Sequence, residues 1–324
     1  MPALATYELT KEYAVGFWRK RPYRALDSLT LEVEPGEVFG FLGPNGAGKT
    51  TTLKLLMRLV FPTSGRAEIL GRPAGDLDVR RRIGYLPEHP YFYDYLTAEE
   101  LLAYFAGLLG LSGAERTRRV SQLLDEVGLG AERRLQLRKF SKGMLQRVGI
   151  AQALLNEPEL VIFDEPMSGL DPLGRRDVRS LILRLRDRGC TVFFSSHVLS
   201  DAEALCSRVA ILARGRLVTT GRLTDMLAFQ IRGWEVVATG VPSGLAESLA
   251  PRTTSTTRVG DDRYVFDLPV EPAPDRFVTD LSAGGAMLLS VNPLRDTLED
   301  FFVRQVTSRE VTERDRGLGA GGAA

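Results

Sequence analysis

The chain has 324 residues, enough for about two domains, and 44% of them are hydrophobic, so sizeable cores can form. Its 42 basic and 41 acidic residues leave a formal net charge of +1, which excludes a wholly disordered chain and an overall basic surface for nucleic acid. No uncharged run approaches the ~20 residues of a membrane helix, no signal peptide is visible, and Cys190 and Cys206 are too few for a disulfide framework. We therefore expect a cytoplasmic protein with reduced thiols.

Short apolar runs alternate with segments of helical period through roughly the first 220 residues, which is typical of an α/β protein with parallel strands. The runs Val38–Leu42, Leu160–Phe163 and 191–195 are predicted strands, and the last two are continuous enough to be covered on both faces. Between the first two, residues 98–111 and 114–127 show helical spacing, so we predict a helical subdomain inserted at about residues 95–150. These elements form a predicted first domain of residues 1–223.

The pattern changes near residue 224, where we predict a second domain of residues 224–310 and then a glycine-rich tail, 311–324, that is expected to be disordered. Its predicted elements are a strand (234–241), a helix (Ser243–Leu249), a hairpin (253–268) turning at Gly260-Asp261-Asp262, a helix (Asp275–Ala283), a strand (286–291) and a final helix (294–306). The βαββαβ order is that of a ferredoxin-like, split βαβ domain.

The strongest chemical signal is the segment Gly43-Pro44-Asn45-Gly46-Ala47-Gly48-Lys49-Thr50, which fits the phosphate-loop pattern G-x-x-x-x-G-K-[ST] without a mismatch. It follows a predicted strand and leads into a predicted helix at 51–59, the context that this motif requires. Its glycines let backbone N–H groups surround a phosphate, Lys49 would reach the β- and γ-phosphates, and the Thr50 hydroxyl would ligate Mg²⁺. The sequence therefore predicts a nucleotide site, with Thr51 at the start of the helix among its contacts.

Two carboxylates follow the apolar strand Leu160–Phe163. Asp164 and Glu165 come at its C-terminal end, where ligands bind in sheets of this kind. Asp164 is a candidate ligand of Mg²⁺, and Glu165 is a candidate general base that polarises the attacking water.

Three later motifs give a family resemblance over roughly residues 4–222. Phe140-Ser141-Lys142-Gly143-Met144 stands where the ATP-binding subunits of ABC transporters have their Leu-Ser-Gly-Gly-Gln signature, Ser168-Gly169-Leu170-Asp171 matches their D-loop, and His197 matches their switch histidine. The resemblance implies an ABC-type ATPase fold in which two copies enclose ATP and Mg²⁺. It also implies that Ser141, Gly143 and Asp171 meet the nucleotide across the dimer and that His197 hydrogen-bonds the γ-phosphate.

Two motifs depart from the family pattern. Glu88 stands where the Q-loop usually carries Gln, and because a carboxylate can still ligate Mg²⁺ or hold water, Glu88 joins the candidate metal and catalytic residues. Lys142 and Met144 replace the usual signature residues, while Ser141 and Gly143 remain. These variants resemble those of an export branch that includes drug and sodium efflux ATPases.

An aromatic side chain normally stacks on adenine in this family, and Tyr13 matches its position best, with Phe17 or Trp18 as alternatives. Residues 14–24 are interpreted as an exposed loop ahead of a strand that starts near Ala25. Their interleaved aromatic and basic side chains leave open a contact with RNA or a membrane. Because no other basic stripe accompanies them, we expect no nucleic-acid partner.

Residues 91–109 are rich in aromatic side chains, and we expect a subset to be exposed as a partner surface. In the family, the region after the Q-loop receives a coupling helix of the membrane subunit. The resemblance thus implies the motor subunit of an exporter, working as a homodimer with a separate permease on the inner face of the cell membrane. The alternative is a soluble ABC-type ATPase acting on the ribosome or DNA. It is disfavoured because the chain has one phosphate loop and no coiled-coil insertion between Lys49 and Ser141.

Overall fold

The computed structural model of the protein describes residues 1–16, 20–226, 231–295 and 298. The chain divides into two compact units, Met1–Leu223 and Thr224–Ala324. Within the described part of the chain, no helix is long and apolar enough to cross a membrane.

The first unit is an α/β structure with a helical insertion. Its elements in chain order are β1 (Leu4–Val15), β2 (Arg21–Val33), β3 (Val38–Leu42), α1 (Lys49–Leu56), β4 (Ser64–Ile69), β5 (Arg72–Pro73), α2 (Leu77–Arg80), β6 (Ile83–Leu86), α3 (Ala98–Leu108), α4 (Gly113–Glu126), α5 (Lys142–Ala153), β7 (Leu160–Phe163), α6 (Pro172–Asp187), β8 (Thr191–Ser196), α7 (Leu199–Leu205), β9 (Arg208–Ala213) and β10 (Arg216–Arg222). The short helix α8 (Leu223–Met226) follows at the boundary between the units.

A six-stranded sheet with the order β10-β9-β3-β8-β7-β6 forms the centre of this unit. The strands from β9 to β6 pair in parallel, whereas β10 pairs antiparallel with β9. Every residue of β3, β7 and β8 is buried, as expected for parallel strands covered on both faces, which explains their unbroken apolar runs. Their carboxyl ends meet at one edge of the sheet, where ligands bind in such folds.

A second, antiparallel sheet has the order β2-β1-β4-β5. One hydrophobic cluster joins the two sheets and α1, including Leu26 of β2, Phe39 and Phe41 of β3, Leu53 of α1 and Phe193 of β8. The antiparallel sheet is thereby packed beside the helix that follows the phosphate loop.

Local chemistry shifts the helix ends from their predicted positions. Helix α1 begins at Lys49 rather than 51 and stops at Leu56 rather than 59, because Arg58 adopts a left-handed φ of 57°. Helix α3 begins at Ala98 as predicted, because Thr97 and Glu100 form a reciprocal capping box. It stops at Leu108 rather than 111, ahead of Gly110 with φ 89°.

The interpretation of residues 14–24 as a loop is wrong over most of its length. Strand β1 continues to Val15 and β2 begins at Arg21, not near Ala25, with Tyr13 opposite Tyr23 and Val15 opposite Arg21. This end of the ladder is held by backbone pairing, and its side chains are largely exposed, so it lacks the apolar alternation by which a strand is recognised. The alternative stacking residues, Phe17 and Trp18, lie outside the described residues.

The second unit has the predicted βαββαβ order. Its elements are β11 (Ile231–Thr239), α9 (Ser243–Leu249), β12 (Ser255–Val259), β13 (Arg263–Leu268), α10 (Asp275–Ala283) and β14 (Met287–Arg295). The antiparallel sheet runs β12-β13-β11-β14, and Phe266 of β13 packs on Phe277 of α10 with ring centroids 5.2 Å apart. This is the arrangement of a split βαβ domain.

The sequence predicts a final helix that starts at residue 294. The prediction is wrong for residues 294 and 295, which are in a strand. Leu294 and Arg295 belong to β14 and pair with Gly233 and Ile231 of β11. Pro293 does not end this strand, because β14 lies at the edge of the sheet, where a missing N–H is tolerated. Apart from Leu298, the remainder of that helix and the tail lie outside the described residues.

Candidate nucleotide-binding site

The phosphate loop, Gly43 to Thr50, connects β3 to α1 at the carboxyl edge of the central sheet. Gly48 caps α1 with φ 104°, and a Cβ there would lie 2.5 Å from the Ala25 carbonyl oxygen, so both the conformation and the close approach of β2 require glycine. The first N–H groups of α1 point out of the helix at this loop, which makes it an anion-binding position.

Lys49 is the first residue of α1, and its ammonium group turns back across the loop. It donates to the Gly43 carbonyl at 2.7 Å and lies 3.2 Å from Glu165 Oε1. Lys49 and Glu165 are each only 6% exposed. Removing one partner of a charged pair this deeply buried strongly destabilises the folded protein, because the other charge is left uncompensated. Lys49 and Glu165 therefore hold each other in place beside the phosphate loop.

Ser195 on β8 contacts both of the acidic residues that follow β7. Its hydroxyl donates to Asp164 Oδ1 at 2.7 Å and accepts from the Glu165 backbone N–H at 2.9 Å. Sequence reasoning missed this residue, although the signal was present: a serine that ends a predicted buried strand requires a polar partner. Ser195 thereby holds both the carboxylate of Asp164 and the backbone of Glu165.

Asp164 and Thr50 bring two oxygens together beside the loop. Thr50 Oγ1 lies 3.4 Å from Asp164 Oδ1. Burial raises the pKa of the Asp164 carboxyl above its usual value, although the hydrogen bonds from Ser195 and Thr50 oppose that shift. Hydroxyl and carboxylate oxygens are the donors that Mg²⁺ prefers, and it commonly takes one or two protein ligands beside substrate phosphates. The pair therefore fits a magnesium ion, and the described residues contain no cluster of three or more His, Cys, Asp or Glu side chains that would favour another metal.

Glu165 also contacts the predicted switch histidine. His197 Nδ1 lies 2.8 Å from Glu165 Oε2, and the His197 backbone N–H donates to the same oxygen at 3.4 Å. Glu165 itself has a left-handed φ of 50°, an uncommon conformation for a residue other than glycine. The carboxylate thus lies between Lys49 on one oxygen and His197 on the other.

These groups border a cleft of about 340 Å³. Its lining contains the predicted residues Tyr13, Pro44, Asn45, Gly46, Ala47, Gly48, Lys49, Thr50, Thr51, Glu88 and Glu165, together with Tyr23 and Ala25. Asp164 and His197 reach it through their hydrogen bonds with Thr50 and Glu165. One polar cleft therefore unites most of the predicted phosphate, metal and catalytic residues.

Ser141, Gly143 and Asp171 do not line this cleft. Ser141 caps α5 by accepting from the Met144 N–H at 3.2 Å, and Asp171 caps α6 by accepting from the Gly174 N–H at 2.9 Å. The two loops lie against each other, because a Cβ on Gly143 would sit 3.4 Å from Leu170 Cδ2. Within one chain, the structure brings these residues together with one another and not with the phosphate loop.

An aromatic surface lies around the start of α3. Tyr91 is 95% exposed, and Tyr93, Tyr95 and Tyr104 are also exposed, whereas Phe92 and Phe105 are partly buried. The Tyr93 ring lies 5.9 Å from that of Tyr95 and 6.5 Å from that of Tyr104, centroid to centroid. We call the four exposed tyrosines the tyrosine surface; they confirm that a subset of the aromatic residues is exposed.

Known proteins resemble this chain in sequence and in fold. The family model described as ABC transporter matches residues 26–168. An uncharacterized ABC transporter ATP-binding protein of Synechocystis sp. is 46% identical over 309 residues, covering 95% of this chain and 85% of that protein. The Nod factor export ATP-binding protein I of Cupriavidus metallidurans is 34% identical over 292 residues, covering 89% of this chain and 94% of that protein. A solved dimeric ATP-binding cassette in a post-hydrolysis state, bound to ADP and Pi, is 28% identical with a TM-score of 0.62, covering 68% of this chain and 98% of that one.

The chain belongs to the ATP-binding subunits of ABC transporters. Membership confirms the predicted family, the ABC-type phosphate-loop fold and the ATPase activity. As an ABC-type ATPase the protein binds ATP and hydrolyses it to ADP and phosphate.

Proposed function

We propose that this ATPase is the motor subunit of an exporter whose membrane-spanning permease is a separate chain. The observation that carries the proposal is the division of the predicted site: Lys49, Asp164 and Glu165 converge on the phosphate-loop cleft, whereas Ser141 and Asp171 face solvent away from it. One chain therefore carries two separate halves of an ATP site, a phosphate-loop half and a signature half. A second copy in the opposite orientation would bring its signature half to the phosphate loop of the first. The solved cassette with ADP and Pi is itself dimeric.

In the proposed mechanism, the phosphate loop binds the triphosphate and Lys49 exchanges its contacts with Gly43 and Glu165 for phosphate oxygens. Glu165 Oε1 is then released from its cation, while Oε2 stays bound to His197. The free carboxylate oxygen accepts a proton from the attacking water. Binding of the substrate thus converts Glu165 from the partner of Lys49 into a general base.

Thr50 and Asp164 would hold Mg²⁺, and Glu88, which lines the same cleft, would hold a water or join that shell. The ion, when bound, neutralises charge on the phosphates. Ser195 fixes Asp164 toward Thr50 and keeps the backbone of Glu165 in place. Tyr13 would stack on the base at the far end of the cleft.

The partners follow from the exposed surfaces. Ser141, Gly143 and Asp171 would meet the nucleotide of a second copy, so that ATP closes the dimer and hydrolysis reopens it. The tyrosine surface would dock the permease, because exposed aromatic side chains are enriched where proteins bind one another. The protein would thereby work at the inner face of the membrane. Export is the direction named for the Nod factor relative.

The substitution Glu165→Gln tests the mechanism. It keeps the size of the side chain but removes the charge that accepts the proton, so we expect turnover to fall by about 10²–10⁴-fold. MgATP should still bind through the phosphate loop, and the loss of a negative charge near the γ-phosphate should favour the closed dimer. Size exclusion should show a dimer with MgATP and a monomer with ADP. Wild-type turnover in this variant would contradict the assignment of the base.

A second substitution in the same chain tests the dimer. Ser141→Arg fills the position of the partner's γ-phosphate, so the dimer that Glu165→Gln accumulates should disappear. Ser112→Arg is the matched control, because Ser112 is an exposed N-cap of α4 that makes no side-chain cap hydrogen bond. A dimer that survives Ser141→Arg would contradict the proposed opposed orientation.

Replacing Tyr91, Tyr93 and Tyr95 by Ala tests the docking surface. We expect the purified variant to keep its ATPase rate, because these side chains do not line the cleft, and to lose co-purification with a permease encoded beside it. Leu77→Ala, another exposed apolar position outside this surface, is the control. If folding and ATPase activity fall together, the tyrosines belong to the core and the docking surface is wrong.

A further inference from the structure

Tyr23 lines the nucleotide cleft beside Tyr13, although no motif assigns it a role. The register of β1 and β2 places the two tyrosines directly opposite each other. Residues opposite one another in antiparallel strands project from the same face of the sheet, with Cβ atoms about 4.5–5.5 Å apart. The two rings therefore border the same end of the cleft.

Tyr13 by itself offers a restricted stacking surface. The Lys11 ammonium lies 5.0 Å from the centroid of its ring, and the same group donates to the Phe61 carbonyl at 2.7 Å. One face of Tyr13 is thus occupied by a cation that a backbone oxygen holds in place. A base that stacks on Tyr13 has the opposite face available.

The position of Tyr23 along β2 matches the base end of a bound nucleotide. Ala25 lies against the phosphate loop, because its carbonyl oxygen is 2.5 Å from the position of a Cβ on Gly48. Tyr23 lies two residues earlier on the strand, about 7 Å away at the rise of a β-strand, and both residues line the cleft. From Ala25 to Tyr23 the strand therefore leads from the phosphates past the ribose to the base.

We infer that Tyr23 is a second stacking surface for the base, working beside Tyr13; the inference rests on the proposed nucleotide site. The Tyr23 side chain is 52% exposed, so contact with a purine removes apolar ring surface from water. Stacking uses the ring and not the hydroxyl, so Phe should replace Tyr at this position and Ala should not. The triphosphate does not touch this ring, and its binding energy should be independent of it.

The test compares a ligand that has a base with one that lacks it. ATP affinity of Tyr23→Ala is measured by calorimetry, and tripolyphosphate is measured by its competition with a fluorescent ATP analogue. We expect ATP to bind roughly five- to tenfold more weakly, at the low end for base–aromatic stacking because the ring is half exposed. Tripolyphosphate should bind as it does to the wild type, and Tyr23→Phe should restore ATP affinity.

Tyr7→Ala is the matched control, because Tyr7 lies on the same strand pair but packs under the Arg66 guanidinium outside the cleft. The inference is overturned if Tyr23→Ala binds ATP within twofold of the wild type, or if ATP and tripolyphosphate weaken equally. It is also overturned if Tyr7→Ala has the same effect. Failure of the wild type to bind ATP would instead overturn the proposed site itself.

Discussion

The two halves of the candidate ATP site are held in different ways within one chain. In the phosphate-loop half, Lys49, Asp164 and Glu165 are all buried. Lys49 forms an ion pair with Glu165, and Ser195 hydrogen-bonds both Asp164 and the Glu165 backbone. In the signature half, Ser141 and Asp171 are exposed, and each bonds the first turn of its own helix.

Burial explains the difference. A buried charge without a partner costs several kcal/mol, roughly 3–5 when one member of a pair is lost, so the first half must be complete in the folded monomer. An exposed cap has water as an alternative partner, so Ser141 and Asp171 are free to exchange their contacts when a second copy arrives. The N-terminus of α5 also directs its backbone N–H groups outward, which suits a phosphate supplied from outside the chain.

The largest expected effect is that of Lys49→Ala, which removes a buried ammonium from the complete half. Truncating one partner of a buried, charged hydrogen bond costs about 2–5 kcal/mol, so ATP affinity should fall by about 30-fold or more. Calorimetry with MgATP measures it. Lys54→Ala on the exposed side of the same helix is the control and should bind as the wild type does. Unchanged affinity in Lys49→Ala would contradict the site.

The complete half was predictable from sequence to the extent that its signals are local. The phosphate loop is a contiguous motif, and Leu160–Phe163 was recognised because a doubly covered strand leaves an unbroken apolar run. Ser195 and Tyr23 were missed because their roles depend on neighbours in other strands. Ser195 meets Asp164 and Glu165 through the pairing of β7 with β8, and Tyr23 lies opposite Tyr13 through the register of β1 with β2. No periodicity within one segment encodes either juxtaposition.

Ser195→Ala should have an intermediate effect, and it shows whether positioning within the complete half matters. It removes the hydroxyl that holds Asp164 and the Glu165 N–H, so both buried groups lose a partner. Substitutions that loosen the support of a metal ligand typically lower activity by about 10–100-fold. We expect that loss in kcat together with a higher Mg²⁺ requirement, measured by titrating Mg²⁺ in steady-state assays.

Thr191→Val separates positioning from stability. Thr191 lies at the other end of β8, where its buried hydroxyl accepts from the Gly36 N–H at 2.9 Å. Ser195→Ala and Thr191→Val should each lower the free energy of unfolding by about 1–3 kcal/mol, as expected when a buried polar group loses its partner. An unchanged Mg²⁺ requirement in Ser195→Ala, or an equal loss of kcat in Thr191→Val, would show that Ser195 serves stability alone.

The smallest effect concerns the exposed half and decides whether the contrast between the halves is real. Asp171→Ala removes the cap of α6, which should lower the free energy of unfolding by about 1 kcal/mol. Thr97→Ala removes the cap of α3 and is the matched control with a similar cost. ATP affinity of the single chain should stay at the wild-type value in both, because neither residue lines the cleft.

The two caps should differ once the dimer is examined. In the Glu165→Gln background, Asp171→Ala should weaken the ATP-dependent dimer, measured by sedimentation, whereas Thr97→Ala should leave it unchanged. The reason is that Asp171 would exchange its bond to the Gly174 N–H for contacts across the interface, and the capping box of Thr97 has no such role. Equal dimerisation of the two variants would reduce Asp171 to a helix cap, and Ser141 and Gly143 would then be the remaining residues through which the exposed half reaches the nucleotide of a second copy.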